Sequence, residues 1–224
     1  MSLQRNLIEQ IEFFNCLSES EKQFLAERSE IKLKGRYNYI YLSDEPSTHV
    51  NILLKGTIKI GTHSADGKEI IKSIIHPQAM FGEMCLMGQE KRVDFAKTMN
   101  SGVEYFTVSN KVFSQLMKSN RELNDNFMDI IGKRLTQAES RLESLIFKDA
   151  RSRIIDFLKD SLDKRGRKVG FEMMFKHSLT QQDIANLTGT SRQTVTSVLN
   201  ELKKENLIYF TRNSILVRDV AKLT

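Results

Sequence analysis

At 224 residues and 40% hydrophobic composition, the chain can bury an ordinary core and is expected to divide into two domains, which sets aside disorder and coiled fibres. No run of eighteen apolar residues occurs, and the first ten residues lack the charged start, greasy centre and cleavage site of a leader, so a cytoplasmic protein without membrane attachment is expected. The net charge of +6 lies in one part only: residues 1–147 hold 19 basic against 19 acidic side chains, residues 148–224 hold 15 against 9, as in a module that meets a polyanion joined to one that does not, although a solvated lysine-rich face explains the charge alone almost as well.

A first short helix is predicted over residues 7–14. Ser18 followed by Glu21 matches a capping box and starts a second helix through Phe24 and Leu25. From about Ile31 the period changes to two: Ile58 and Ile60 alternate with Thr57, Lys59 and Gly61, and Val103, Tyr105 and Thr107 alternate with their neighbours. Asp66-Gly67 supplies the positive backbone angles of a tight hairpin, and Gly56 stands where a turn or bulge falls. Residues 31–108 therefore read as a compact antiparallel sandwich or barrel.

After Ser109 the pattern turns helical. Met128, Ile131, Leu135, Ala138, Leu142 and Leu145 follow at steps of three and four, a heptad seam, while Asp129, Lys133, Gln137, Glu139, Arg141 and Glu143 between them are polar. A stripe this narrow suits a second copy of the same helix, and hence a homodimer; burial against the chain's own barrel is the alternative. Asp149 is placed to cap a further helix through Ile154, Ile155 and Leu158, ending near residues 163–166, and a strand is predicted over residues 171–175.

Residues 180–208 have the spacing of two short helices that cross tightly. Thr180 caps the first, with Asp183 three residues on; Ile184 and Leu187 face inward, Ala185 is small where the second helix approaches, and Gly189 makes the turn. Ser191 caps the second helix, whose Val195, Val198, Leu199 and Leu202 form one buried face and leave Arg192, Gln193, Thr196 and Ser197 to meet base edges. Residues 207–210, a polar turn at 211–214 and a strand at 215–217 complete a hairpin wing. A helix-turn-helix with a trailing hairpin and local positive charge points to double-stranded DNA.

Other chemistries find little footing. Cys16 and Cys85 are far apart and lack a CxxC, so reduced thiols are expected. His49, His63, His76 and His177 do not pair at ligand spacing, so no metal site is expected. With no nucleophile beside a base and no phosphate-cradling glycine loop, an enzyme is not expected. The competing reading is a nucleotide-binding module that controls a protein partner through its C-terminal helices without touching DNA.

Leu53-Leu54-Lys55-Gly56, Asp66-Gly67-Lys68-Glu69, Phe81-Gly82-Glu83, Gly132-Lys133-Arg134-Leu135 and Ser191-Arg192-Gln193-Thr194-Val195 occur in that order. Over nearly its whole length the chain thereby resembles the cyclic-AMP receptor protein/fumarate-nitrate regulator (Crp/Fnr) superfamily of bacterial transcription regulators. The resemblance implies an α+β chain: an antiparallel β-roll effector domain with N-terminal helices (1–108), a long dimerisation helix (109–147) and a winged helix-turn-helix (148–224), with RNA polymerase as a further partner. It implies that Gly82 and Glu83 hold a ribose and Arg92 a cyclic phosphate, with Arg134 matching on the helix; the plain alternative is a salt bridge between Glu83 and Arg92 inside the roll. Val93 and Asp94 stand where a hydroxyl and a small neutral residue are usual, and Ala138 and Glu139 where adenine-touching hydroxyls are usual. These departures argue against cyclic AMP and leave open another cyclic nucleotide, a different small effector or none. Two cysteines are too few for an iron-sulfur cluster, and Cys85 lacks a nearby histidine for a haem pair. On DNA, Arg192 would read guanine and Gln193 adenine, Ser197 replaces an arginine common in relatives, and Thr180, Gln182 and Ser191 would touch phosphates.

Overall fold

Apolar residues at every third position open the chain, and they do not continue one α-helix. The computed structural model describes residues 3–223. It places helix α1 at Leu3–Ile8 and a separate 3-10 turn at Glu12–Phe14, in place of the single helix predicted over residues 7–14. Ile8, Ile11, Phe14 and Leu17 are all buried. A spacing of three matches three residues per turn better than 3.6, and Ile11 is extended. Helix α2 (Glu19–Glu27) has the expected box, Ser18 accepting from the Glu21 amide and Glu21 from the Ser18 amide.

Eight strands follow: β1 (Ser29–Lys34), β2 (Tyr39–Tyr41), β3 (His49–Lys55), β4 (Ile58–His63), β5 (Glu69–Ile75), β6 (Met80–Phe81), β7 (Phe95–Thr98) and β8 (Val103–Ser109). They form two four-stranded sheets ordered β1-β8-β3-β6 and β2-β7-β4-β5. Strand β8 shows how period two builds the layers. Val103 and Tyr105 join Leu53, Ile58, Ile60, Phe81 and Ala96 in one core, while Phe106 and Val108 join Val50, Ile52, Phe14 and the helical residues Phe113, Leu116, Leu123 and Phe127 in the other. Gly67 sits at φ +79° and donates to the Ser64 carbonyl at 2.9 Å, the expected tight turn.

The helical stretch after Ser109 is two helices, α3 (Asn110–Ser119) and α4 (Arg121–Phe147), where one was predicted. Asn120 makes the break: its backbone is extended, and its Oδ1 accepts from the Leu123 amide at 2.9 Å, which starts α4 afresh. Asp149 caps α5 (Ala150–Arg165) as predicted.

Strand β9 (Arg167–Val169) was not foreseen, and β10 (Glu172–Lys176) runs one residue later than predicted. Gly170, at φ +64°, makes the turn between them, and Phe171 lies at the fully exposed tip instead of inside a strand. After α6 (Gln181–Thr188) and α7 (Arg192–Lys204), β11 (Ile208–Phe210) and β12 (Ser214–Val217) close a sheet ordered β11-β12-β10-β9.

The chain separates into two compact units. One comprises residues up to His63 with Lys72–Thr136, the other Ser64–Ile71 with residues from Gln137 on. Helix α4 thus contributes to both.

Candidate nucleic-acid interface and effector cassette

Local chemistry builds the α6–α7 pair. The Thr180 hydroxyl accepts from the Asp183 amide at 3.1 Å, and Asp183 Oδ2 accepts from the Thr180 amide at 2.9 Å and its hydroxyl at 2.7 Å, an aspartate version of the capping box. Gly189 ends α6 at φ +64°, so the turn needs glycine for its backbone; a Cβ there would come within 2.8 Å of the movable Leu145 Cδ2. The Ser191 hydroxyl accepts from the Thr194 amide at 3.0 Å and caps α7.

Val195, Val198, Leu199 and Leu202 are buried, as the periodicity requires. Arg192, Gln193 and Ser197 are exposed on the other face with Ser191, and Thr180 and Gln182 are exposed at the start of α6. Gln182 donates to Asn186 at 2.8 Å. Thr196 is less open than the sequence reading expects: it is half-buried, and its hydroxyl donates to Gln181 Oε1 at 2.6 Å, with the Arg192 carbonyl 2.9 Å away. The wing turn is tied by Thr211 N to the Ser214 carbonyl at 2.8 Å and carries the exposed Arg212 at its tip.

Two arginines that the pattern did not single out brace this surface from α5. Arg153 donates through Nε to the Thr188 carbonyl at 2.8 Å, through Nη2 to the Gly189 carbonyl at 3.2 Å and through Nη1 to the Lys148 carbonyl at 2.7 Å. Arg151 pairs with Glu201 at 2.9 Å and Glu205 at 3.5 Å on α7. Gln181 was also passed over; a polar residue immediately after a capping threonine was the available signal.

On α4, Leu123 and Phe127 are buried in the core, and Ile131 packs partly against it, so this one rung of the predicted seam is covered by its own chain. Met128, Leu135, Ala138, Leu142 and Leu145 are exposed, Leu135 at 61% and Leu142 at 60%. Ile146 and Phe147, outside the predicted heptad, extend the apolar surface, Phe147 at 82% exposure. Ile146 stands four residues after Leu142, a helical spacing that was the available signal.

In the first unit, Gly82 lies at φ +70° and leads into a 3-10 turn at Glu83–Met87. Arg92 is 5% exposed and donates to the carbonyls of Gly82 and His49, both at 2.6 Å, with its guanidinium carbon 4.3 Å above the Tyr41 ring. A Cβ on Gly82 would stand 2.7 Å from Arg92 Nη1, so glycine is what lets the arginine lie there. Glu83, 2% exposed, accepts from Arg134, which also donates to the Met80 carbonyl. The salt bridge entertained between Glu83 and Arg92 is therefore replaced by Glu83 with Arg134, because backbone carbonyls occupy the Arg92 head. Val93 is half-exposed, and Asp94 pairs with Lys72 at 3.4 Å. Burial pushes the Tyr41 phenol and the Cys85 thiol up from their ordinary ranges and the His49 imidazole down. Among the described residues no cluster of three His, Cys, Asp or Glu side chains could hold a metal ion, and no helix is long and apolar enough to cross a membrane.

Comparison with known proteins bears on both regions. Residues 152–224 match the Crp-like helix-turn-helix domain family, and residues 36–120 match the cyclic nucleotide-binding domain family. The chain is 27% identical, over 84% of each chain, to the CRP-like cAMP-activated global transcriptional regulator of Mycobacterium tuberculosis. It is 26% identical, again over 84% of each chain, to the global nitrogen regulator of a Synechocystis species. The solved structure of FixK2 from Bradyrhizobium japonicum shares its fold, with a TM-score of 0.78 at 19% identity over 87% of this chain and 95% of that one. These matches give no support to a module that works without DNA.

Proposed function

The chain belongs to the Crp/Fnr superfamily of transcription regulators, and we propose that it works in the cytoplasm as a homodimer on an inverted-repeat DNA site, with RNA polymerase as its further partner. One observation carries the reading: α7 buries Val195, Val198, Leu199 and Leu202 and leaves Arg192, Gln193 and Ser197 exposed between a capped N-terminus and a basic wing tip. A helix so divided can enter a major groove while its apolar face stays on the protein.

In this reading Arg192 donates both ends of its fork to guanine O6 and N7. Gln193 pairs with adenine through one donor and one acceptor, and Ser197 adds a weaker contact. Thr180, Gln182 and Ser191 set the register on phosphates. The exposed stripe of α4 supports dimerisation, since a row of large apolar side chains in water is costly unless a matching row covers it. A two-fold axis then sets the recognition helices about 34 Å apart, in successive major grooves. The roll, residues 1–108, with residues 109–147 linking it to the DNA module, carries the signal input.

Cyclic AMP does not fit that input well. Arg92 spends two of its nitrogens on backbone carbonyls, and Arg134 engages Glu83. The test is a mobility shift with duplexes selected from a random pool, repeated over a salt series. Binding to an inverted repeat with the logarithm of the affinity falling linearly in log salt supports the reading; no retained duplex at low salt defeats it.

A further inference from the structure

Thr196 and Gln181 belong to different helices, and their contact sets the chemistry at the crossing of α6 and α7. The Thr196 hydroxyl lies 2.6 Å from Gln181 Oε1, closer than the 2.9 Å to the Arg192 carbonyl on its own helix. A hydroxyl has one hydrogen, and the shorter cross-helix approach takes it. With Oε1 engaged, the carboxamide is held against turning over, and Nε2 with its two hydrogens becomes the outward end. Among the described residues nothing accepts from that nitrogen, and it is not shut away from water. Gln181 is the first residue of α6, and Thr196 lies one turn from Arg192 on α7, so the amide stands beside the exposed face described above.

We infer that Gln181 donates from Nε2 to a DNA phosphate oxygen, and that Thr196 is the positioning residue that aims it, not a reader of a base. The inference rests on the DNA-binding reading. A glutamine that reads adenine uses its oxygen and its nitrogen together, and here the oxygen is already taken by Thr196. What remains is a donor alone, which suits a partner that carries only lone pairs. A phosphate oxygen is such a partner, and a contact to it fixes register without regard to sequence.

The test compares wild type with Gln181→Ala, Thr196→Val, Thr196→Ser and the Gln181→Ala/Thr196→Val double variant. Each is measured on a duplex selected by the wild type and on an unrelated duplex, with melting temperature as a fold control. Gln181→Ala should weaken both duplexes by the same factor, about 10- to 100-fold per half-site for one hydrogen bond to a charged acceptor. Thr196→Val should lose a similar factor, the double variant no more than either single one, and Thr196→Ser should regain wild-type affinity because it keeps the hydroxyl. Multiplying losses in the double variant overturn the coupling. A changed preference at one base pair in either single variant overturns the phosphate assignment. Wild-type binding with Gln181→Ala unchanged defeats this inference alone; a wild type that retains no duplex at all defeats the DNA-binding reading and takes the inference with it.

Discussion

Replacing Arg153 with methionine keeps the aliphatic stem and removes a head that holds three carbonyls from two places in the chain. Two acceptors, Thr188 and Gly189, close the C-terminal end of α6, where carbonyls have no partner within the helix, and the third, Lys148, follows α4. The three bonds are unequal. Those to Lys148 and Gly189 are exposed, so water substitutes for the arginine at little cost. Thr188 is buried, and its carbonyl loses a charge-assisted partner that water replaces poorly. That loss is worth about 2 kcal/mol. If the C-terminal unit melts as its own block, the midpoint falls by roughly 8–16 °C; if the whole chain melts together, by roughly 4–8 °C. Differential scanning calorimetry reads the size of the drop and the number of transitions at once. DNA affinity should fall as well, because the turn sets how α6 and α7 cross. An unchanged midpoint would refute the reasoning and leave the turn to its own bonds, the Gly189 and Thr190 amides on the Ala185 carbonyl.

Four further outcomes are expected. Arg134→Met strands the Glu83 carboxylate in the core. Losing one partner of a buried pair costs about 3–5 kcal/mol, and water access to the Arg134 head brings this to about 2–3 kcal/mol. Urea titration should show that loss and a recovery of most of it in Arg134→Met/Glu83→Met, while a single variant as stable as wild type would remove the pair from the account. Leu142→Asp should turn a dimer into a monomer in analytical ultracentrifugation and weaken DNA binding with it; unchanged sedimentation would mean the seam pairs with something else. Arg192→Ala should cost about 1–3 kcal/mol and relax preference at one base pair, whereas an equal loss on every sequence would place Arg192 on phosphate. Cyclic AMP should leave the melting temperature where it is, although any ligand at a hundred times its Kd stabilises by about 2.7 kcal/mol; a clear rise would restore the nucleotide to the roll.

What the sequence discloses here, and what it hides, follows from the range of the interaction involved. The caps at Ser18, Asp149, Thr180 and Ser191 are legible because a side-chain oxygen meets an amide three residues on, so donor and acceptor lie in the same short stretch of text. The break at Asn120 belongs to this class and was open to the same reasoning, had its amide been weighed against the continuing helical pattern. Strand β9 offers no such handle. All three of its residues are exposed, so it has no apolar alternation, and it exists because β10 supplies hydrogen bonds.

Side-chain partnerships over long separations are the least visible. Period and spacing place a residue on a face, but they do not say which group across the gap will reach it. Glu83 was set beside Arg92, nine residues away, yet its partner is Arg134, 51 residues on, because the carbonyls of Gly82 and His49 had already claimed the nearer arginine. Thr196 repeats the lesson on the candidate DNA surface. Helical geometry puts it one turn from Arg192, so it reads as exposed; Gln181, on another helix, takes its hydroxyl. In both cases a group brought close by the fold, and not by the sequence, reaches the residue.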